Sequence, residues 1–284
     1  MQFTTTQDPE SAPRNILEEI VWWKATEVAA MRERRPLASV MAAAKGAPPP
    51  RDFIGALEAA ASATGRPGLI AEVKKASPSK GVIQPDFDPV RIAKAYEAGG
   101  AACLSVLTDA KYFQGSFENL TLIRTAGVAC PLLAKEFIVE AYQLFAARAA
   151  GADAVLLIAA VLPNADLDLF LRAARKVGLQ CLVEVHTVGE LTRVLRLDLA
   201  GAMLGINNRD LGTFVVDLKN TDAIMASPAG QEALARGLLV TGESGIFTPD
   251  DVAAVARAGC GAILVGESLV KQGDPCAGVK ALLA

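Results

Sequence analysis

The fold is decided by residues 152–185, which read ADAVLLIAAVLPNADLDLFLRAARKVGLQCLVEV. This segment begins with the apolar run ADAVLLI, continues with the helical stretch LDLFLRAARKVG and returns to a second apolar run, QCLVEV. The glycine that ends the helical stretch can take the left-handed conformation that caps a helix. Runs that are apolar almost throughout are typical of strands buried on both faces, as in a parallel sheet covered by helices. The segment therefore predicts a strand, a helix and a second, parallel strand.

The same unit recurs along the chain from Leu69 onward. There are eight apolar runs of this kind, namely LIAEV, AACLSVL, PLLAKEF, ADAVLLI, QCLVEV, AMLGIN, LLVTGES and AILVGES. Eight units fit a closed (β/α)8 TIM barrel, an α/β fold whose usual size is ~250 residues. The alternative is an open, doubly wound sheet, but its signature G-x-G-x-x-G is absent after the first run, which ends in EVKKASPSKG. The repeat therefore favours the barrel.

An N-terminal segment precedes the first unit. Residues 1–13 have the character of a tail, and the following stretch NILEEIVWWKATEVAAMRERR predicts a helix capped by Asn15. Ile16, Ile20 and Trp23 have the spacing of a buried helix face. The stiff linker GAPPP then leads into a second helical stretch, DFIGALEAAASA. We expect a tail and helical extension over residues 1–50, packed on a barrel catalytic domain over residues 51–284.

Composition excludes several classes of protein. The chain has 28 basic and 31 acidic residues, so its net charge of -3 gives no overall field that would hold nucleic acid or an anionic membrane. The longest apolar run, AVLLIAAVL, is too short to span a bilayer, and no basic stretch followed by an apolar segment begins the chain. We expect a soluble, cytoplasmic protein that is a monomer or weak homodimer.

The cysteines argue against a disulfide scaffold and a zinc site. They are odd in number, widely spaced and form no C-x-x-C pair: Cys103, Cys130, Cys181, Cys260 and Cys276. This pattern indicates reduced, mostly buried thiols. The chain has one histidine, His186, and no G-x-S-x-G motif, so we expect His186 to be a loop or peripheral residue rather than a catalytic base. No metal site is expected.

Polar residues collect at the ends of the apolar runs. They are Glu72, Lys74, Ser77, Lys135, Glu136, Glu184, Asn207, Arg209, Glu243 and Ser244, and the eighth run ends at Gly266. In a barrel the active site lies at the carboxyl ends of the strands, so these side chains should meet there. A charge within or just after a buried strand costs several kcal/mol unless it is paired. We therefore expect a network of opposite charges in an active site.

The last two loops predict an anion site. The segments GESG (242–245) and VGES (265–268) place small residues where backbone N–H groups can face a ligand, and loops after strands 7 and 8 of this fold recurrently bind phosphate. Lys74, at the end of the first strand, lies beside the eighth strand in a closed barrel. It can face the same anion.

These residues stand in motifs that resemble a known family. The motifs are AEVKKASPSKGVI, VLTDAKYFQGS, LLAKEFIVEAYQL, LVEVH, LGINNRDLGTFVVDL, GESGI and LVGESL. In this order they resemble the indole-3-glycerol phosphate synthase family of tryptophan biosynthesis, over roughly residues 15–284. The resemblance implies that 1-(2-carboxyphenylamino)-1-deoxyribulose 5-phosphate is converted into indole-3-glycerol phosphate, with release of carbon dioxide and water and without a cofactor.

The resemblance also implies residue roles. Lys135 corresponds to the family's general acid and Glu184 to its general base, and the rest of the implied catalytic set is Glu72, Lys74, Asn207 and Glu243. The implied substrate-binding residues are Ser77, Phe113, Phe137, Arg209 and Ser244, with the two phenylalanines enclosing the anthranilate ring. The implied phosphate site is Gly245, Gly266 and Glu267.

The chain departs from the family pattern at three places. Glu136 stands where many relatives carry aspartate, EAYQ lacks an expected proline, and Glu267 puts a carboxylate beside the expected phosphate. We expect the Glu267 side chain to turn away from the anion. We also expect Lys135 and Glu184 to approach the substrate from different sides without neutralising each other.

Two other functions fit the same pattern. One is a phosphoribosyl isomerase or a lysine Schiff-base aldolase on the same barrel, which borohydride trapping would reveal. The other is a non-catalytic protein that binds a phosphorylated metabolite, against which the presence of both Lys135 and Glu184 argues.

Overall fold

The computed structural model describes residues 12–210, 215–270 and 273–284. Within them the strands are β1 (Gly68–Val73), β2 (Ala76–Ser77), β3 (Gly81–Val82), β4 (Cys103–Leu107), β5 (Leu132–Lys135), β6 (Ala154–Ile158), β7 (Gln180–Val185), β8 (Ala202–Asn207), β9 (Val240–Glu243) and β10 (Ala262–Val265). Eight of them close into a parallel barrel in the order β1-β10-β9-β8-β7-β6-β5-β4. The remaining two, β2 and β3, form an antiparallel hairpin in the loop after β1. The predicted (β/α)8 barrel is confirmed.

Helices follow the strands as the repeat predicts. They are α1 (Ile16–Arg34), α2 (Leu37–Gly46), α3 (Phe53–Thr64), α4 (Pro89–Gly99), α5 (Phe117–Thr125), α6 (Ala141–Ala149), α7 (Asn164–Lys176), α8 (Val188–Val194), α9 (Lys219–Ala226), α10 (Pro228–Ala235), α11 (Pro249–Arg257), α12 (Glu267–Val270) and α13 (Pro275–Leu282). None of the helices in the described ranges is long and apolar enough to cross a membrane.

The unit β6–α7–β7 shows why the chain folds this way. Both strands are buried almost throughout, as their continuous apolar character predicts. Between them α7 buries one face, including Leu167, Phe170 and Leu171. The chain leaves the helix through Gly178, whose φ of 81° is in the left-handed region that the terminal glycine was expected to supply. The cysteines are free, and all except Cys276 are fully buried.

The N-terminal extension packs on the barrel with one difference from expectation. Asn15 caps α1 by accepting a hydrogen bond from the Glu18 backbone N–H at 3.0 Å, as predicted. Ile20 is buried, but Trp23 is 40% exposed, so its predicted burial is wrong. The inward face continues from Ile20 through Lys24, four residues later, so Trp23 lies to the side of it. There the Lys111 ammonium lies 3.9 Å from the centre of the Trp23 ring.

The second helix of the extension, α2, had no clear signal in the sequence. The third, α3, covers the amino-terminal end of the barrel. The backbone N–H groups of Phe53 and Ile54 donate to Gln180 Oε1, at the first residue of β7. Leu57 packs against Gly68, at the first residue of β1, where an added Cβ would lie 2.7 Å from the Leu57 carbonyl oxygen. With this end closed, the carboxyl ends of the strands remain for the site.

Two sequence features fall partly outside the described residues. They are the tail, of which residues 1–11 are not described, and the motif LGINNRDLGTFVVDL, of which residues 211–214 are not described.

Candidate active site

A pocket opens at the carboxyl ends of the barrel strands. Its lining includes every predicted site residue: Glu72, Lys74, Ser77, Phe113, Lys135, Phe137, Glu184, Asn207, Arg209, Glu243, Ser244, Gly245, Gly266 and Glu267. Ile16, Leu17 and Ile20 of α1 line it as well, so the extension covers part of the mouth. The predicted residues come from seven of the eight barrel units, and Leu156 and Ile158 of β6 add the eighth.

Lys135 lies at the centre of the charged network. It is the last residue of β5, and its Nζ is 2.7 Å from Glu243 Oε2 and 3.2 Å from Glu184 Oε2. The expectation that Lys135 and Glu184 would not neutralise each other directly is therefore wrong. The barrel curvature brings the ends of β5, β7 and β9 together across its mouth, so one ammonium can reach both carboxylates. Side chains of these three residues are largely buried.

Burial and pairing set the protonation of this network. Burial works to lower the pKa of Lys135, but attraction to Glu243 and Glu184 outweighs it and raises the pKa. Burial works to raise the pKa of Glu184, but attraction to Lys135 and His186 outweighs it and holds the pKa below its usual range. Near neutral pH, Lys135 is therefore protonated and Glu184 ionised. These are the starting states that a proton donor and a proton acceptor need.

Glu243 differs from Glu184. Burial raises its pKa to about 7, and the nearby charge of Glu184 adds to that effect against the attraction of Lys135. Among the described residues its Oε1 finds no hydrogen-bond partner, although Oε2 contacts Lys135. Glu243 can therefore hold a proton close to neutral pH.

A second ion pair joins the pocket from β1. Lys74 Nζ contacts Glu72 Oε1, and both side chains are mostly buried. Gly266, after the adjacent strand β10, makes room for this pair, since an added Cβ would lie 2.4 Å from Glu72 Oε1. The glycine of the VGES segment is thus required by the acid at the end of β1, whatever ligand the loop binds.

The loop after β9 has an unusual backbone. Ser244 has φ of 65°, uncommon for a residue with a side chain, and Gly245 follows with φ of 81°. Asn207 Oδ1 accepts hydrogen bonds from Ser244 Oγ at 2.8 Å and from the Arg209 backbone N–H at 3.0 Å. Asn208 Nδ2 donates to the carbonyl oxygens of Glu243 and Ser244 at 3.0 and 3.2 Å. The loop is therefore held from β8 in one conformation, and our sequence reasoning did not single out Asn208.

Aromatic rings form one wall of the pocket. The ring centres of Phe113 and Phe137 lie 6.0 Å apart, with the planes tilted by 36°. Phe113 follows β4 and Phe137 follows β5, so neighbouring loops bring them together. This wall suits a flat aromatic ring.

The rim carries a group of three charges. Glu267 contacts Lys80 Nζ, and its Oε2 lies 3.7 Å from Arg209 Nη2. Lys80 belongs to the turn between β2 and β3, and its position in the segment KASPSKG was the only signal that could have identified it. The orientation of Glu267 beside a bound anion stays a prediction.

His186 is a loop residue, as expected, but its side chain is largely buried beside Glu184. It follows β7 directly, its side chain is 11% exposed, and its Nε2 lies 3.4 Å from Glu184 Oε1. On the other side Nδ1 lies 3.6 Å from Glu190 Oε2. Burial works to lower the pKa of His186, but hydrogen bonding with Glu190 and attraction to Glu184 raise it. The ring thus contacts Glu184 without lining the pocket.

Comparison with known proteins agrees with this geometry. A family model for indole-3-glycerol phosphate synthase matches residues 17–282. The chloroplastic indole-3-glycerol phosphate synthase of Arabidopsis thaliana is 56% identical over 271 residues, which cover 95% of this chain and 67% of the relative. The indole-3-glycerol phosphate synthase of Microcystis aeruginosa is 53% identical over 274 residues, covering 96% of this chain and 90% of the relative.

Solved structures share the fold at low identity. A 3-hexulose-6-phosphate synthase is 16% identical, with a TM-score of 0.55 over 76% of this chain and 98% of that chain. A thiamine phosphate pyrophosphorylase from Pyrococcus furiosus is 17% identical, with a TM-score of 0.54 over 76% of this chain and 93% of that chain. Likenesses of this kind establish the barrel alone.

Proposed function

Because the chain belongs to the indole-3-glycerol phosphate synthase family, we propose that Lys135 and Glu184 close and aromatise the indole ring of its product. The chain is an enzyme of tryptophan biosynthesis, as its family and relatives indicate. The proposed substrate is 1-(2-carboxyphenylamino)-1-deoxyribulose 5-phosphate. Loss of its carboxyl group as carbon dioxide would make the enzyme a carboxy-lyase.

One observation carries this proposal. A protonated lysine, paired with two carboxylates, faces a pocket that has an aromatic wall and two glycine-containing loops. The anthranilate ring fits against Phe113 and Phe137, and the phosphate fits near Gly245 and Gly266. The ketone between these two groups would then lie within reach of Lys135.

Ring closure needs a proton on the ketone oxygen. An electron-rich ring carbon attacks the carbonyl carbon, a carbon–carbon bond forms, and the oxygen takes a proton from Lys135. Because the Lys135 ammonium contacts Glu184 and Glu243 in the structure, it must turn part of its hydrogen bonding toward the ketone when substrate binds. Those carboxylates keep the ammonium aimed at the mouth of the barrel.

Aromatisation follows in two steps. The carboxyl group leaves as carbon dioxide, and its bonding electrons return to the ring. The new hydroxyl group then takes a proton from an ammonium of the pocket, Lys74 or reprotonated Lys135, and leaves as water, and a carboxylate removes a proton from the neighbouring ring carbon to complete the indole. We assign this step to Glu184 because its lowered pKa keeps it ionised at neutral pH, whereas the raised pKa of Glu243 lets that residue hold a proton.

The same proposal covers partners and location. We expect a small phosphorylated substrate, no cofactor, no nucleic acid and no membrane, and a cytoplasmic monomer or weak homodimer. Sedimentation equilibrium and cell fractionation test these points separately from the chemistry.

The test of the reaction is direct. The purified chain is incubated with the proposed substrate, while indole fluorescence and release of labelled carboxyl carbon are followed together. We expect one carbon dioxide for each indole formed. A chain that combines Lys135→Ala with Glu184→Gln serves as the control and should form neither product. Absence of both products with the unsubstituted, folded chain would overturn the proposal.

A further inference from the structure

A second lysine is buried beside the pocket. Lys24, on α1, has a side chain that is only 2% exposed. Its Nζ lies 2.7 Å from Asp109 Oδ2, 2.8 Å from Glu136 Oε1 and 2.6 Å from Glu27 Oε2. Glu27 is on the same helix, whereas Asp109 and Glu136 lie in the loops after β4 and β5. The ammonium thus ties the N-terminal helix to two loops at the mouth of the barrel.

The two loop carboxylates also accept hydrogen bonds from the backbone of the residues that form the aromatic wall. Asp109 Oδ1 accepts hydrogen bonds from the backbone N–H groups of Tyr112 at 2.7 Å and Phe113 at 3.1 Å. Glu136 Oε1 accepts from the Phe137 backbone N–H at 2.9 Å. Each carboxylate therefore connects Lys24 to the backbone of one ring of the wall. A helix anchor alone would not need these bonds.

The charge of Lys24 is permanent. Burial works to lower its pKa, but attraction to Glu136 and Asp109 outweighs it and raises the pKa above its usual range. The ammonium therefore stays protonated wherever the fold is stable. Its role is fixed geometry and not a switch.

We propose that Lys24 is a positioning residue that holds Phe113 and Phe137 in place for the aromatic ring of the substrate, through Asp109 and Glu136. This inference rests on the proposed function, since it names the group that the wall receives. A rival role is purely structural, in which Lys24 only fastens α1 to the barrel. The rival role predicts lower stability without a selective change in substrate binding.

The test separates the two ends of the pocket. In Lys24→Met, measured well below its Tm, KM for the carboxyphenylamino substrate should rise by about tenfold or more, because the wall loses its support. The inhibition constant for inorganic phosphate, which occupies the far end, should stay within about twofold. Equal weakening of substrate and phosphate, or no change in substrate KM, would overturn the positioning role.

Matched variants complete the experiment. Arg32→Met breaks the exposed Arg32–Glu140 pair at 3.0 Å, which also joins α1 to the barrel, and should leave KM unchanged. Lys24→Met in a background that combines Phe113→Ala with Phe137→Ala should add little to the KM of that background, whereas a purely structural role predicts additive effects. If Lys24→Met does not fold, Lys24→Gln and Lys24→Arg replace it in the test. The substrate KM should rise in Lys24→Gln and lie closer to that of the unsubstituted chain in Lys24→Arg.

The outcomes are distinct from a failure of the proposed reaction. If the unsubstituted chain forms no indole product, the proposed function fails. If it turns over normally and folded Lys24→Gln has the same substrate KM, only the positioning role fails.

Discussion

Lys135 and Lys24 stand at the centres of two similar clusters. Lys24 is buried and Lys135 is largely so, each contacts carboxylates from neighbouring barrel loops or strand ends, and each has a raised pKa. The clusters are also joined by sequence, because Glu136, a partner of Lys24, directly follows Lys135. The two clusters differ in whether the lysine is open to the pocket. The Lys135 side chain is 14% exposed and lines the pocket, whereas Lys24 is closed off by α1.

The difference teaches what makes a buried lysine reactive. In the closed cluster, which is that of Lys24, the carboxylates of Asp109 and Glu136 also accept hydrogen bonds from backbone N–H groups. The ammonium and its partners are therefore fixed from several directions. In the open cluster, which is that of Lys135, Glu243 Oε1 has no hydrogen-bond partner within the described ranges, and the pKa of Glu243 is raised to about 7. A substrate can therefore change the partners of Lys135, which lines the pocket, whereas Lys24 is not part of the pocket lining.

Loss of Lys135, the lysine that lines the pocket, should give the largest effect on rate. Lys135→Ala should lower kcat by about 10² to 10⁴, with a smaller change in KM, because the proton donor is removed while the walls of the pocket remain. Steady-state kinetics give both constants. Lys94→Ala, at an exposed position of α4, is the matched control and should keep the original kcat. A near-normal kcat in Lys135→Ala would move the acid to Lys74.

Substitution of the partner of that lysine should give the next largest effect. Glu184→Gln keeps the shape of the side chain but cannot accept a proton, so kcat should fall by about 10² or more. Because the missing step is late, a decarboxylated intermediate that still carries the hydroxyl group should accumulate in rapid-quench samples. If the unreacted substrate alone accumulates, Glu184 acts in ring closure and the assignment as late base is wrong.

The raised pKa of Glu243 predicts a smaller effect, on stability. A carboxyl group whose pKa rises from 4.5 to about 7 on folding stabilises the fold fully below pH 4.5 and loses that contribution as the pH rises to about 7. The loss is on the order of 3 kcal/mol. Glutamine carries no such proton, so Glu243→Gln should escape this loss.

Thermal unfolding between pH 4.5 and 8 measures the difference. The Tm of Glu243→Gln relative to the unsubstituted chain should increase by about 5 °C as the pH rises to 7, and then stay constant. The pKa of Glu184 is lowered on folding, so its contribution to stability is lost as the pH falls. Glu184 is present in both chains, so this effect does not enter the Tm difference between them. A Tm difference that does not vary with pH would show that Glu243 is ionised throughout this range.

The rim should give the smallest effect. Glu267 contacts both Lys80 and Arg209, so its carboxylate competes with an anion for two cations. Glu267→Gln should lower the inhibition constant of inorganic phosphate by about three- to fivefold, the range expected for one partly exposed charge pair. Glu232→Gln, which breaks an exposed pair on α10, is the control. Unchanged or weaker phosphate binding would place the anion away from Glu267.

Much of the site could be predicted because the barrel imposes it. Residues such as Glu72, Lys135 and Glu243 end buried strands, and closure of a parallel barrel brings such ends together. The resemblance then supplied their roles. The sequence suggested Glu72 or Glu184 as partners of Lys135 but not Glu243, since that contact depends on how far each side chain extends across the mouth.

Lys24 shows the other limit. Leu17, Val21, Lys24 and Val28 are buried along one face of α1, so the lysine occupies an apolar position of the helix period. A search for apolar residues passes over it and selects Trp23, which is exposed. A cation at an inward position is itself a signal, because it can be buried only where carboxylates meet it.

The pairing of β1 with β10 has a consequence for the synthesis of the chain. Glu72 packs against Gly266, and β10 lies between β1 and β9 in the barrel. A ribosome makes β1 long before β10, so until β10 emerges the nascent barrel has two unpaired edges and a pocket without its last wall. Those open edges can pair with other chains, which makes the interval before closure the time of greatest risk of aggregation. A polypeptide that stops before Ala262 therefore carries Lys135 and Glu184 but lacks the strand and loop that complete the pocket.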